Sequence, residues 1–137
     1  MIKLLRLKKA FDEIGIPAEI RETVNGLYYD GQENAVYLPA VHVSFYKGTA
    51  GTYECMNAVY RMADKKRKDF HFCINSTMAY FTADIYLNSD YEKKVAAEKK
   101  SEIFLNAFWK ARNDIGPGCP QTAMIKAGRD ALAAAGY

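Results

Sequence analysis

The chain has 137 residues, of which 50% are hydrophobic and 26% are charged, and its formal net charge is +3. This length predicts one domain with a core large enough to need neither a disulfide framework nor a structural metal. The mild positive charge does not favour a dedicated duplex-binding protein, so nucleic acid is the less favoured partner.

The cysteines and the hydropathy pattern indicate the compartment. Cys55, Cys73 and Cys119 lie far apart and form no CxxC motif, as is typical of reduced thiols in the cytoplasm. No apolar run approaches the roughly 20 residues of a membrane-spanning helix. The basic N-terminus lacks the uninterrupted apolar stretch of a signal peptide. We therefore expect a cytoplasmic protein with no membrane partner.

The first half of the chain predicts a helix, a small meander, a long strand and a second helix. Apolar residues recur at spacings of three and four over residues 2–14, and Gly15 ends this helix. Residues 18–24 and 27–29 are interpreted as short strands, with turns at Asn25-Gly26 and Asp30-Gly31. Residues 35–46 are rich in strand formers. Thr52 is the expected N-cap of a helix that ends near residue 68.

The second half predicts two strands and two helices. The strands cover about residues 69–75 and 78–87, and a capping box of Ser89 and Glu92 opens a helix that ends near residue 113. Pro120 begins a last helix, whose many small residues allow close helix packing. The order α-β-β-β-α-β-β-α-α predicts a single α+β domain over residues 1–137, with an antiparallel sheet of four to five strands and helices packed on one face.

Alternation along the strands separates two kinds of side chain. In the strands that end at Tyr46, at Asn75 and at Leu87, one set is apolar and the second set contains no Lys, Arg or Glu. Charge depletion with tyrosine enrichment is typical of interfaces, and a tyrosine offers both a stacking surface and a hydrogen-bonding group. The predicted ligand-binding residues are His42, Ser44, Tyr46, His71, Asn75, Tyr80, Thr82, Asp84 and Tyr86. The alternatives are a subunit interface, an open sheet face that happens to be neutral, and a face covered by the meander.

Lys47 is the predicted contact for an anionic group, and Arg61, Arg67 and Arg112 are the alternative contacts for a phosphate. Lys47 opens a glycine-containing loop that leads to a helix N-terminus, where free amide groups favour anions. The loop lacks the motif of a phosphate-binding loop, and a turn of this composition is also a routine connector.

Two short segments, His42-Val43-Ser44-Phe45 and His71-Phe72-Cys73-Ile74, have a shared form. Together they resemble the paired His-x-Ser/Thr-hydrophobic motifs of the 2H phosphoesterases. The resemblance covers eight residues, and Cys73 stands in place of the second hydroxyl. It implies cleavage of a phosphodiester, with the two histidines acting as acid and base.

We expect a small non-enzymatic binding protein, assembled as a homo-oligomer, with no cofactor and no metal. Its expected ligand is a small anionic aromatic compound such as a nucleotide, because tyrosines stack on planar rings. One alternative is a protein-binding inhibitor or a viral assembly component, and another is a 2H-like phosphodiesterase. The compact Lys- and Tyr-rich composition resembles that of accessory proteins of bacterial viruses, which implies a phage-type accessory or anti-defence role.

Overall fold

A computed structural model describes residues 1–26 and 35–137 of the chain. Its strands form one antiparallel sheet in the order β1-β2-β4-β3, which confirms the predicted α+β class. The predicted strand over residues 27–29 and the Asp30-Gly31 turn lie outside the described residues. The elements in chain order are α1 (Ile2–Glu13), β1 (Ala18–Asn25), β2 (Val36–Tyr46), α2 (Thr52–Lys66), β3 (Phe70–Ser76), β4 (Tyr80–Leu87), α3 (Asn88–Ile115) and α4 (Gln121–Ala134).

The main core lies between one face of the sheet and the helices α1 and α2. Helix α1 buries the apolar side of its amphipathic pattern, and α2 adds the fully buried Val59. On the sheet, the odd-numbered positions 41–45 of β2 and 81–87 of β4 meet these helices, so the predicted apolar set is confirmed as the core face. The fully buried strand residues of this cluster are Val41, Val43, Phe81, Ala83 and Ile85.

The chain divides into two compact units. The first contains Met1–Thr23 and Leu38–Glu92, and the second contains Val24–Tyr37 and Lys93–Tyr137. The second unit has a core of its own, formed by Phe104 and Phe108 of α3 with Met124 of α4. Gly128 of α4 is buried there, and a Cβ atom on it would lie 2.5 Å from Phe104 Cδ2. The predicted close packing of small residues is thus confirmed at Gly128.

Three predicted boundaries differ in the structure. Strand β1 continues through Asn25. A type I′ turn needs a positive φ at both central residues, and of Asn25 and Gly26 only Gly26 has one, of 74°, so the expected turn does not form there. Gly51 is the N-cap of α2, while the Thr52 hydroxyl donates to the Thr49 carbonyl at 2.5 Å. Helix α3 begins one residue before the predicted Ser89 cap, directly after β4. In the described part of the chain, none of the helices combines the length and apolarity needed to cross a bilayer.

Candidate functional site

The strand register brings the predicted polar set to one side of the sheet. Directly paired residues of antiparallel strands point to the same side. The paired rows are His42–Asp84–Cys73, Ser44–Thr82–Asn75, Tyr46–Tyr80 and Tyr86–His71. All nine predicted strand residues therefore lie on the side opposite α1 and α2, which we call the polar face.

A charged cluster lies at the centre of this polar face. His42 Nδ1 is 2.7 Å from Asp84 Oδ1, and Arg21 Nη2 is 3.4 Å from the same oxygen. Because an ionised carboxylate only accepts hydrogen bonds, Nδ1 of His42 donates to Asp84. The other ring nitrogen, Nε2, takes no part in this bond. The His42 side chain is 13% exposed and that of Arg21 is 46% exposed. Asp84 thus contacts both the mostly buried imidazole of His42 and the solvent-accessible guanidinium of Arg21.

Strand β1 contributes residues that the sequence interpretation did not place on the polar face. The Arg21 contact with Asp84 and a 3.0 Å hydrogen bond from the Tyr86 hydroxyl to Thr23 Oγ1 locate β1 there. The sequence of β1 does alternate, because Ala18 and Ile20 pack against the core while positions 19, 21 and 23 take the other side of the strand. The polar face consequently includes an Arg, and the charge depletion seen in the other three strands does not hold for all four.

Two tyrosines form an exposed aromatic patch at one end of β2 and β4. The rings of Tyr46 and Tyr80 are 5.5 Å apart with an interplanar angle of 56°, and the residues are 53% and 52% exposed. The Tyr46 ring packs directly over Gly48, where a Cβ atom would collide with it. A side chain at position 48 would therefore displace Tyr46, so this glycine fixes where the aromatic surface lies.

Short polar side chains separate the tyrosine pair from the charged cluster. Ser44 and Asn75 are exposed, and Thr82 Oγ1 donates to the Asn75 carbonyl oxygen at 3.3 Å. A shallow cavity of about 340 Å³ lies beside this row. It is lined by Pro17, Ala18, Glu19, His42 and Ser44. The polar face therefore has a concave part at the β1–β2 side.

Two of the predicted site residues lie on the polar face but are covered. Tyr86 is only 2% exposed, and its hydroxyl is bonded to Thr23. The His71 ring stacks on Tyr91 at the start of α3, with 3.5 Å between centroids and an interplanar angle of 8°. The buried Tyr86 therefore supports the face, and Tyr91 occupies one side of the half-buried His71 ring. A role of either residue as a ligand contact stays a prediction.

Lys47 lies on the opposite side of the sheet from the other predicted residues. Its Nζ donates to Ser76 Oγ, and Ser76 pairs with Phe81 of the core face. The physical reason is the strand period of two, because Lys47 continues the core-facing positions 41, 43 and 45. Lys47 is therefore not brought together with the tyrosine pair, and Arg21 is the cation that the structure places on the polar face.

Among residues 1–26 and 35–137, no group of three or more His, Cys, Asp or Glu residues is arranged to hold a metal ion. The arrangement offers stacking on two tyrosines, hydrogen bonding along the row and a charged contact at Arg21 and His42. Comparison of the chain with protein-family models, with curated proteins and with solved structures finds no match.

Proposed function

We propose that this chain is a small non-enzymatic binding protein whose polar face takes an anionic aromatic ligand such as a nucleotide. One observation carries the proposal. The strand register lines up an exposed tyrosine pair, a row of short polar groups and a cluster containing Arg21 along one side of the sheet. A nucleotide presents an aromatic base, polar edges and a phosphate in the same order.

The dimensions of the polar face suit such a ligand. Tyr46 and His42 are four residues apart on one strand, which corresponds to about 13 Å. The base would stack on the tyrosine pair, and its phosphate would lie near Arg21. The Arg21–Asp84 contact is long, and the exposed Arg21 side chain makes it a weak pair, worth roughly 0–1 kcal/mol. The Arg21 guanidinium can therefore exchange its contact with Asp84 for one with a phosphate at little energetic cost.

A thermal-shift panel of nucleoside mono-, di- and triphosphates and cyclic nucleotides tests the proposal. A ligand at 100 times its Kd adds about 2.7 kcal/mol to the free energy of unfolding. We expect at least one nucleotide to raise the Tm of the wild type, and Tyr80→Ala and Arg21→Gln to reduce that rise. Tyr53→Ala is the matched control, because Tyr53 is 78% exposed on α2, away from the polar face. Absence of a shift with every nucleotide would refute nucleotide binding.

The assembly and compartment are also proposals. A homo-oligomer is supported by the exposed pair of Tyr46 and Tyr80, because contiguous exposed apolar surface marks interaction sites. A reducing compartment such as the cytoplasm is supported by three cysteines that form no disulfide. Native mass spectrometry of protein purified from its own host reports the subunit count and any retained ligand. Co-purification of a different protein, with no nucleotide effect, would instead favour the protein-binding inhibitor or assembly component.

A second candidate function is acid–base cleavage of a phosphodiester. It is favoured by the 2.7 Å bond that orients His42 on Asp84 at the wall of a cavity that Ser44 also lines. Nε2 of His42 would take a proton from an attacking water as the phosphorus–oxygen bond of the leaving alcohol breaks, and the protonated imidazole would then give that proton to the departing alkoxide. Hydrolysis of bis(4-nitrophenyl) phosphate that His42→Ala abolishes and His71→Ala leaves intact would support it, since His71 is stacked beneath Tyr91.

A further inference from the structure

Helix α2 arranges its cations differently from the other three helices. Each of those helices carries at least one ion pair between a lysine and an acidic residue four positions later, whereas α2 has Arg61 and Lys65 at that spacing. No salt bridge joins Arg61 or Lys65 to an acidic side chain within residues 1–26 and 35–137. The ion pairs of the other helices are Lys8–Asp12 in α1, Lys94–Glu98 and Lys110–Asp114 in α3, and Lys126–Asp130 in α4.

Two like charges at this spacing repel each other and disfavour the helix. The helix dipole explains basic residues in the last turn, where Lys65 and Lys66 lie. Arg61 lies one turn earlier, beyond the reach of that explanation. An anion held between the two side chains would convert the repulsion into two favourable contacts.

A cavity of about 440 Å³ opens beside these two cations. Its volume falls within the range of roughly 300–1,000 Å³ that is typical of small-molecule sites. Apart from the charged Glu54, Arg61 and Lys65, the lining is apolar: Ile14, Ile16, Cys55, Ala58 and Met62. Ile16 is almost fully buried and forms the floor. The cavity lies at the α2 side of the first unit, whereas the polar face lies on the side of the sheet away from α2.

The charges divide this cavity into two ends. Glu54 is seven residues before Arg61 on α2, which places it about 10 Å away along the helix axis. Arg61 and Lys65 therefore mark a positive end, while Glu54 disfavours a second anionic group at the other end. The apolar wall between them offers a surface for a hydrocarbon chain.

We propose that this cavity binds a small amphiphilic anion with one carboxylate and one short alkyl chain. The carboxylate lies between Arg61 and Lys65, and the chain lies along Ala58 and Met62. This site is independent of the polar face and of the nucleotide proposal, because the two share no residue.

Calorimetric titration of the full chain with octanoate, and with uncharged octanamide, tests the site. Each lost charge-assisted hydrogen bond weakens binding by about tenfold or more. We expect octanoate to bind, octanamide to bind at least about tenfold more weakly, and the Arg61→Gln/Lys65→Gln double variant to lose octanoate affinity by a similar factor. Ala58→Phe, which fills the cavity, should abolish binding.

A matched double variant removes the same charge without touching the cavity. Arg67→Gln/Lys68→Gln alters two exposed cations at the end of α2 that do not line it. It should bind octanoate as the wild type does, and circular dichroism melts verify that all variants fold. No octanoate binding by the wild type, equal binding of octanamide, or an equal loss in both double variants would each overturn the proposal.

Discussion

The core face and the polar face of the sheet come from the same strands but differ in chemistry and in how much solvent reaches them. Phe81 is fully buried and stacks on Phe45 at 5.0 Å, whereas the next residue, Thr82, lies in the polar row. Because side chains alternate along a strand, a step of one residue leads from a packed position to the face for which we propose binding. We therefore expect exposed residues of the polar face to affect the proposed binding more than stability, and residues of the core face to affect stability most.

The largest expected difference is between Phe81→Ala and Thr82→Ala. Removal of a fully buried aromatic ring from the core face should cost about 3–5 kcal/mol in the free energy of unfolding. Thr82→Ala should cost less than about 1 kcal/mol, because it removes one weak hydrogen bond at a site open to water. Urea denaturation of both variants measures the contrast, and comparable losses would show that the polar face also carries stability.

The next largest effect concerns the charged cluster. Asp84→Asn weakens the bonds from His42 and Arg21, and we expect a loss of about 1–2 kcal/mol in the free energy of unfolding. This loss is small because the Arg21 side chain is 46% exposed to solvent, which weakens its ion pair with Asp84. Asp64→Asn on α2 is the control, since this exposed residue should change stability by less than about 0.5 kcal/mol. Equal effects would mean that Asp84 has no special structural role.

Much of the fold and of the polar face could be predicted from the sequence, because β3, β4 and residues 41–46 of β2 alternate between apolar and polar side chains. Strand β2 breaks this alternation earlier, where the neighbouring Ala40 and Val41 are both buried. Strand β1 was not placed on this face, since its interpretation as part of a meander concealed its own alternation. The covering of His71 by Tyr91 and of Tyr86 beside Thr23 depends on contacts between distant segments. The spacing and composition of a sequence do not show such contacts, so His71 and Tyr86 were predicted to contact a ligand.

A smaller effect distinguishes buried from exposed tyrosines on the polar face. Tyr86→Phe removes the hydroxyl that donates to Thr23 and should lower the free energy of unfolding by about 1 kcal/mol. Tyr46→Phe removes a hydroxyl from a half-exposed ring and should cost less than about 0.5 kcal/mol. Chemical denaturation measures both values. The reverse order would contradict the assignment of Tyr86 as a supporting residue.

The smallest effect sets a baseline away from both faces. A side-chain hydrogen bond from Lys8 lowers the pKa of Asp12 in α1 below its ordinary value of 3.8. A lowered pKa means that charged Asp12 contributes stability above pH 3.8, which is lost as the pH falls through the lowered pKa. We expect the wild type to have a slightly higher Tm than Asp12→Asn near neutral pH, with the difference disappearing in acid. A difference that grows in acid would reverse the sign of this linkage.

The central claim is that the polar face binds an anionic aromatic ligand at the tyrosine pair and the charged cluster. Its most direct test is a titration of isotope-labelled protein with nucleoside mono- and triphosphates, followed by amide chemical shifts. We predict saturable shifts at Tyr46, Tyr80 and Arg21, with little change along the outer side of α2. Shifts confined to other parts of the chain, or none with any nucleotide, would contradict the claim.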